Sequence, residues 1–195
     1  MGVALKYPGG AEVELSLLFV DVRGSTSLAE RMSPVEFSRL LNRFYKAATN
    51  VLIKTDAFID KFVGDEVIGL YLPLFTGPHH ARIAILAAQG LLRITGHGDR
   101  AGPWLPIGVG VHTGVAYVGV VSGAEGAVTD VTALGDNVNI TAGLASKAGP
   151  GEALISDAAH ASAGLNLGEL EHRQLDLKGK SEAVGVRVLK LAAHN

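Results

Sequence analysis

The chain has no cysteine among its 195 residues. That absence excludes disulfide frameworks, thiolate zinc sites and cysteine nucleophiles together. Charge is also sparse: charged residues make up 18% of the chain, and the net charge is −2. Such a composition does not provide a basic surface for nucleic acid. No uninterrupted apolar run is long enough to span a bilayer. Met1 to Gly10 lacks a basic segment followed by an apolar stretch, so no signal peptide is read there. These absences predict a soluble, cytoplasmic chain, either entire or as a piece of a longer protein. Apolar material is plentiful: hydrophobic residues make up 48%, enough to core one domain.

The first predicted strand covers residues 13–22. Val13 and Leu15 alternate with Glu12 and Glu14, and then Leu17 to Val20 runs apolar, as in a strand that becomes buried on both faces. Arg23-Gly24-Ser25-Thr26 reads as a loop. Ser33-Pro34-Val35-Glu36 is a helix start, with Ser33 as cap, Pro34 in the first turn and Glu36 closing a capping box. Apolar residues then recur at helical spacing, predicting a helix over 33–54. Strands over 57–63 and 67–72 flank a tight turn at Gly64-Asp65, and residues 79–95 form a second amphipathic helix. Val- and Gly-rich strands over 107–111 and 115–121 surround a predicted turn at His112-Thr113-Gly114. Gly123 to Gly126 is read as a loop. A helix over 135–148 follows, then strands over 152–155, 168–177 and 184–191 with a short helix near 157–162. The first six elements run βαββαβ. They predict an α+β fold, a ferredoxin-like core with helices on one face and additional C-terminal strands and helices.

Two carboxylates stand out within this order. Asp21 ends an apolar strand, and Asp65 sits at a hairpin tip beside a glycine. In a ferredoxin-like sheet that strand and hairpin are neighbours. Two hard oxygen donors with positions left for phosphate oxygens suit Mg²⁺ or Mn²⁺. The amides of Val22 to Thr26, entering a helix, can cradle a phosphate chain. Either Asp taken alone reads more readily as a turn residue bonded to nearby backbone, and only the two together favour metal.

Three ordered segments carry a resemblance. Phe19-x-Asp21-Val22-x-Gly24-Ser25-Thr26, Lys61-x-x-Gly64-Asp65 and Leu134-Gly135-Asp136-x-Val138-Asn139 resemble the class III nucleotidyl cyclases, the adenylate and guanylate cyclases. The resemblance covers residues 12–192, leaving an N-terminal extension 1–11 and a tail 193–195. It implies ATP or GTP as substrate, a cyclic 3′,5′-monophosphate and pyrophosphate as products, and two Mg²⁺ (or Mn²⁺). It also implies a homodimer with sites at the subunit interface. By the same resemblance, Asp21, Asp65 and the backbone at Val22 hold metal, and Gly24, Ser25 and Thr26 meet phosphate. Lys61 and Thr132 read the base, and Asn139 positions the ribose. Lys61 offers a donor to adenine N1, and Thr132 an acceptor for the N6 amino group, so the pair favours ATP. Lys178-Gly179-Lys180 resembles the segment that sends a lysine to the triphosphate, with Lys180 preferred.

One position departs from the family pattern. Four residues after Asn139 the family carries an arginine that stabilises charge on the α-phosphate, and here Gly143 stands. Losing one such donor costs about 10²–10³ in rate. Lys147, one turn on, is a candidate substitute. The alternatives to an adenylate cyclase are a nucleotide-binding regulatory domain without turnover, a diguanylate cyclase-type domain and a structural dimerisation module. Arg23 is a second candidate for phosphate. His79-His80 lacks further ligands for a metal, His112 reads as structural, and Glu66 is expected to point away from Asp65.

Overall fold

The computed structural model describes residues 9–122 and 129–192. Residues 1–8, the expected loop at Gly123 to Gly126 and the tail 193–195 lie outside the described residues. The strands are β1 (Gly10–Val22), β2 (Phe58–Val63), β3 (Glu66–Tyr71), β4 (Ile107–Ser122), β5 (Thr129–Leu134), β6 (Ala153–Ser156), β7 (Glu171–Leu175) and β8 (Val184–Leu189). The helices are α1 (Ser25–Arg31), α2 (Pro34–Lys54), α3 (Pro73–Thr76), α4 (His80–Ile94), α5 (Asp136–Lys147) and α6 (Asp157–Ala163). The strands form one eight-stranded sheet in the order β2-β3-β1-β4-β6-β8-β7, with β5 joined to β4. β4 and β6 run parallel, whereas β1 is antiparallel to both of its neighbours.

The expected α+β core is present, and local chemistry explains its clearest boundary. α2 starts at the predicted capping box: Glu36 N donates to Ser33 Oγ at 3.3 Å, and Ser33 N donates to the Glu36 carboxylate at 2.9 Å. β1 is buried on both faces. Leu18, Val20 and Val22 pack with Phe44, Leu52, Ile85 and Leu91 beneath α2 and α4. Leu15, Leu17 and Phe19 pack with Ala116, Ala133 and Ala145 on the opposite side, under α5. Helices therefore cover both faces, not one. Among the described residues no helix is long and apolar enough to cross a membrane.

β4 corrects a second expectation. His112-Thr113-Gly114 is not a turn but the middle of one continuous strand, with Leu17 opposite His112 and Leu15 opposite Gly114. The glycines have a packing role. Val109 and Val111 enter the α2/α4 core, while the alternate positions Gly108, Gly110 and Gly114 lie under α5. A Cβ at Gly110 would sit 2.6 Å from Ala145 N and 2.7 Å from Thr141 O, the backbone of α5 itself. At Gly114 it would sit 2.6 Å from the Asn137 carboxamide. The glycine track thus fixes the depth and register of α5. Other differences are local: α1 occupies the segment read as a loop, and β5 and α3 had no counterpart in the sequence reading.

Gly110→Ala is expected to destabilise the fold by about 3 kcal/mol or more, because helix backbone cannot yield as a side-chain tip can. Urea denaturation checks this. A midpoint unchanged from wild type would mean that α5 is not seated on β4.

Candidate functional site

The metal-capable end is built by the meeting of β1 with the β2–β3 hairpin. Asp21 lies opposite Glu66 in the β1–β3 ladder. Val22 N donates to Asp65 O at 3.2 Å, fastening the hairpin tip to the strand end. The tip needs Gly64, whose φ of 60° falls in the left-handed region. Tyr45 of α2 braces it: the hydroxyl donates to Gly64 O, and the ring lies 5.0 Å from that of Phe62. A cleft of about 370 Å³ opens beside the tip, lined by Ser25, Thr26, Ala29, Phe37, Leu41, Gly64 and Asp65. Among the described residues no group of three or more His, Cys, Asp or Glu is placed to hold a metal. Asp21 and Asp65 stand at this end with Glu66 beside them. That donor set fits Mg²⁺ or Mn²⁺, which complete their shells with phosphate oxygens and water.

Three expectations here change. The Val22 and Arg23 amides are not available to phosphate: Val22 N is taken by Asp65 O, and Arg23 N donates to Pro106 O at 2.8 Å. Gly24, Ser25 and Thr26 remain, at the first turn of α1. Arg23 does not face phosphate either. Its guanidinium binds the Asp21 carboxylate and donates to Ser146 O at 3.0 Å and Ala148 O at 3.3 Å, the C-terminal carbonyls of α5. A cation already sits on Asp21, so this carboxylate is placed for positive charge. Glu66 shares a face with Asp21, as residues directly opposite in a ladder do. Burial and Asp65 push the Glu66 carboxyl up, and Arg23 opposes them.

α5 separates two groups of residues. Its C-terminal carbonyls hold Arg23 and so lie at the metal-capable end. Asn139 is exposed in its first turns, about 10 Å away along the axis at 1.5 Å per residue. Lys180 is at the Asn139 end, where its ammonium binds the Asp136 carboxylate; Lys178 is exposed. Gly143 lies under Leu177, and a Cβ there would meet both Leu177 methyls at 3.2 Å. The glycine therefore allows close packing at that point of the helix. Lys147 is exposed in the last turn.

Lys61 and Thr132 meet, although 71 residues separate them. Lys61 Nζ donates to Thr132 Oγ1 at 3.0 Å. Thr132 Oγ1 in turn donates to Asp60 Oδ2 at 3.0 Å. The pair offers a ring nitrogen a donor and an amino group an acceptor. Asp60 escaped sequence reasoning. The available signal was a charged residue inside the run Phe58-Ile59-Asp60-Lys61-Phe62-Val63, where a regular strand would bury an apolar one.

His112 ties the start of α5 to the sheet. One ring nitrogen, Nε2, lies 2.8 Å from Asn137 Oδ1, and Asn137 Nδ2 donates to Val115 O at 2.7 Å. That fixes Asn137 Oδ1 as acceptor and Nε2 as the protonated nitrogen. Nδ1, 2.8 Å from Ser156 Oγ, then accepts from that hydroxyl. Asn137 is two residues before Asn139, so this relay sets where Asn139 stands. His80 is not a metal ligand here: its Nδ1 lies 2.9 Å from Ser16 Oγ in a buried polar contact.

Comparison with known proteins adds the family. Residues 10–189 match the model of the adenylate and guanylate cyclase catalytic domain. An adenylate cyclase of Anabaena cylindrica is 30% identical over 192 residues, covering 90% of this chain and 36% of that protein. The chain thus spans about a third of that relative's length. The crystal structure of the adenylyl cyclase CyaB from P. aeruginosa is 27% identical, with TM-score 0.80 over 93% of this chain and 96% of that one. A guanylyl cyclase crystal structure is 26% identical, with TM-score 0.78 over 94% of this chain and 95% of that one. Relatives of both base preferences are thus equally similar in fold.

Three buried histidines give a pH signature. Burial pushes His80, His97 and His112 below the ordinary imidazole value, chiefly by desolvation. In the unfolded chain each takes a proton near pH ~6.5. Stability is therefore full above that pH and falls as pH drops through the folded values. Glu152, held down to about 2 by Arg173, adds a loss only below the usual carboxylate range. Urea midpoints should fall between pH 7.5 and 5.5, with a shallower slope in His112→Gln. Equal slopes for the two proteins would contradict the assignment of a neutral His112.

Proposed function

The chain belongs to the adenylate and guanylate cyclase catalytic-domain family, and on that premise we propose that it cyclises ATP to 3′,5′-cyclic AMP with release of pyrophosphate. The observation that carries the choice of ATP is the Lys61–Thr132 contact of 3.0 Å. Adenine presents an acceptor at N1 and a donor at the N6 amino group. Lys61 supplies the donor and Thr132 the acceptor. Guanine presents N1–H and O6 instead, so each of its groups meets its like.

In the reaction the ribose 3′-hydroxyl gives up its proton to water, its oxygen forms a bond to the α-phosphorus, and the bond from the α-phosphorus to the oxygen bridging it to the β-phosphate breaks, releasing pyrophosphate. Asp21 and Asp65, with the backbone at Val22, would hold two Mg²⁺ or Mn²⁺, which would supply charge neutralisation of the triphosphate and ease deprotonation of the 3′-hydroxyl. Asn139 orients the ribose near the α-phosphate. Lys180, resting on Asp136, exchanges that partner for triphosphate oxygens, and Gly24, Ser25 and Thr26 meet the phosphate chain.

On this reading the two residue groups that meet one nucleotide come from different chains. The carboxylates and Asn139 lie at opposite ends of α5, about 10 Å apart along its axis. A homodimer brings the carboxylate end of one chain to the Lys61–Thr132–Asn139 end of its partner. Exposed apolar residues on β2 and β5, which carry Lys61 and Thr132, and on the adjoining β4 support such an interface: Phe62 is 47% exposed, Leu134 49% and Val115 51%.

Gly143 favours a second reading, nucleotide binding with little turnover. Incubation with ATP and Mn²⁺ decides between them: cyclic AMP above background supports the cyclase, and ATP binding without product supports the regulatory domain. Gly143→Arg is expected to raise kcat by about 10–10²-fold by returning a donor to the developing charge. Gly143→Ala, which adds only a contact with Leu177, should leave kcat unchanged. An arginine variant no faster than the alanine variant would mean that Leu177 keeps the side chain from the phosphate.

A further inference from the structure

We infer that Asp60 sets the base preference of the site by fixing the direction of the Thr132 hydroxyl, an inference that rests on the adenine reading of Lys61 and Thr132. Asp60 directly precedes Lys61 on β2, and neighbours on a regular strand point to opposite faces. Here the pairing with β3 slips. Ile59 lies opposite Gly69 and Lys61 opposite Ile68, so Asp60 is the extra residue of a bulge. A bulge re-aims side chains. Both Asp60 and Lys61 consequently reach Thr132 on β5, each at 3.0 Å. The Asp60 side chain is only 4% exposed.

The hydrogen positions follow from valence. A lysine ammonium has donors only, and an ionised carboxylate has acceptors only. Lys61 Nζ, 3.7 Å from Asp60 Oδ2, balances the carboxylate charge. The Thr132 hydrogen must therefore go to Asp60, and Lys61 fills one of the two Thr132 lone pairs. One lone pair remains for a ligand. A free threonine hydroxyl serves an amino group or a carbonyl oxygen equally well, by rotating. With its hydrogen committed to Asp60, Thr132 accepts only. It then suits the adenine N6 amino group and opposes the guanine O6. Asp60 needs no contact with the base: it is a positioning residue that acts through Thr132.

The test uses 3′-deoxy-ATP and 3′-deoxy-GTP, which lack the attacking hydroxyl and report binding without turnover. Their dissociation constants are measured with Mn²⁺ on the full chain for wild type, Asp60→Ala, Asp60→Leu and Thr132→Val. The leucine variant keeps side-chain volume and removes the acceptor, guarding against loss of fold in the alanine variant. Wild type should prefer the adenine analogue. Either Asp60 variant should cut the preference about 10–100-fold, the range for one mispaired buried polar group. Adding Asp60→Leu to Thr132→Val should change the preference no further, because the two residues act as one unit. A purely structural Asp60 would weaken both analogues alike and leave their ratio unchanged; that result overturns the inference alone. A wild type without preference overturns the adenine reading, and the inference falls with it.

Discussion

Strand β1 is hydrogen-bonded along both edges, to β3 from Ser16 to Asp21 and to β4 from Gly10 to Val22. The two carboxylates and α5 are referenced to that double ladder. Asp21 is its last carboxylate, and Asp65 is fastened to it through the Val22 amide. α5 lies on the β4 glycines that the ladder aligns with Leu15, Phe19 and Asp21. A slip of one residue would turn Asp21 into the α2/α4 core and Val20 or Val22 toward the site. Burial of β1 on both faces makes such a slip costly, so the position of the carboxylates is a consequence of core packing.

Three polar networks refine what the ladder places. Arg23 joins Asp21 to the end of α5. His112 joins the start of α5, through Asn137, to β4 and β6. Asp60 and Lys61 converge on Thr132 through a bulge. In the His112 and Thr132 contacts the donors and acceptors pair in only one way. The same helix is held at both ends, which keeps Asn139 and the carboxylates at a fixed separation.

Much of this was legible in the residues. The capping box located α2, alternation located β1, and Gly64-Asp65 located the hairpin tip. The three motifs gave the family, later matched over residues 10–189. What escaped reading has physical reasons. Gly114, following His112 and Thr113, resembles a turn residue until Asn137 of α5 is seen lying on it, so β4 reads as two strands. The amides of Val22 and Arg23 looked free because their acceptors, Asp65 O and Pro106 O, are distant in sequence or across a turn. The one sign of the bulge at Asp60 is a second charge within the run from Phe58 to Val63, and without the bulge Asp60 belongs on the face opposite Lys61. Gly143 read as a missing donor and is also the point where Leu177 packs against α5.

The central claim is that one chain holds two half-sites and that a second chain completes them. Mixing of two inactive variants tests it most directly: Asp21→Asn/Asp65→Asn, lacking the metal half, and Lys61→Ala/Asn139→Ala, lacking the base and ribose half. Heterodimers then carry one intact site and one doubly defective site. With random pairing, cyclic AMP formation should return to roughly a quarter of the wild-type rate, from half the dimers with one working site in two. A mixture no more active than either variant alone, while gel filtration shows the heterodimer, would contradict the account.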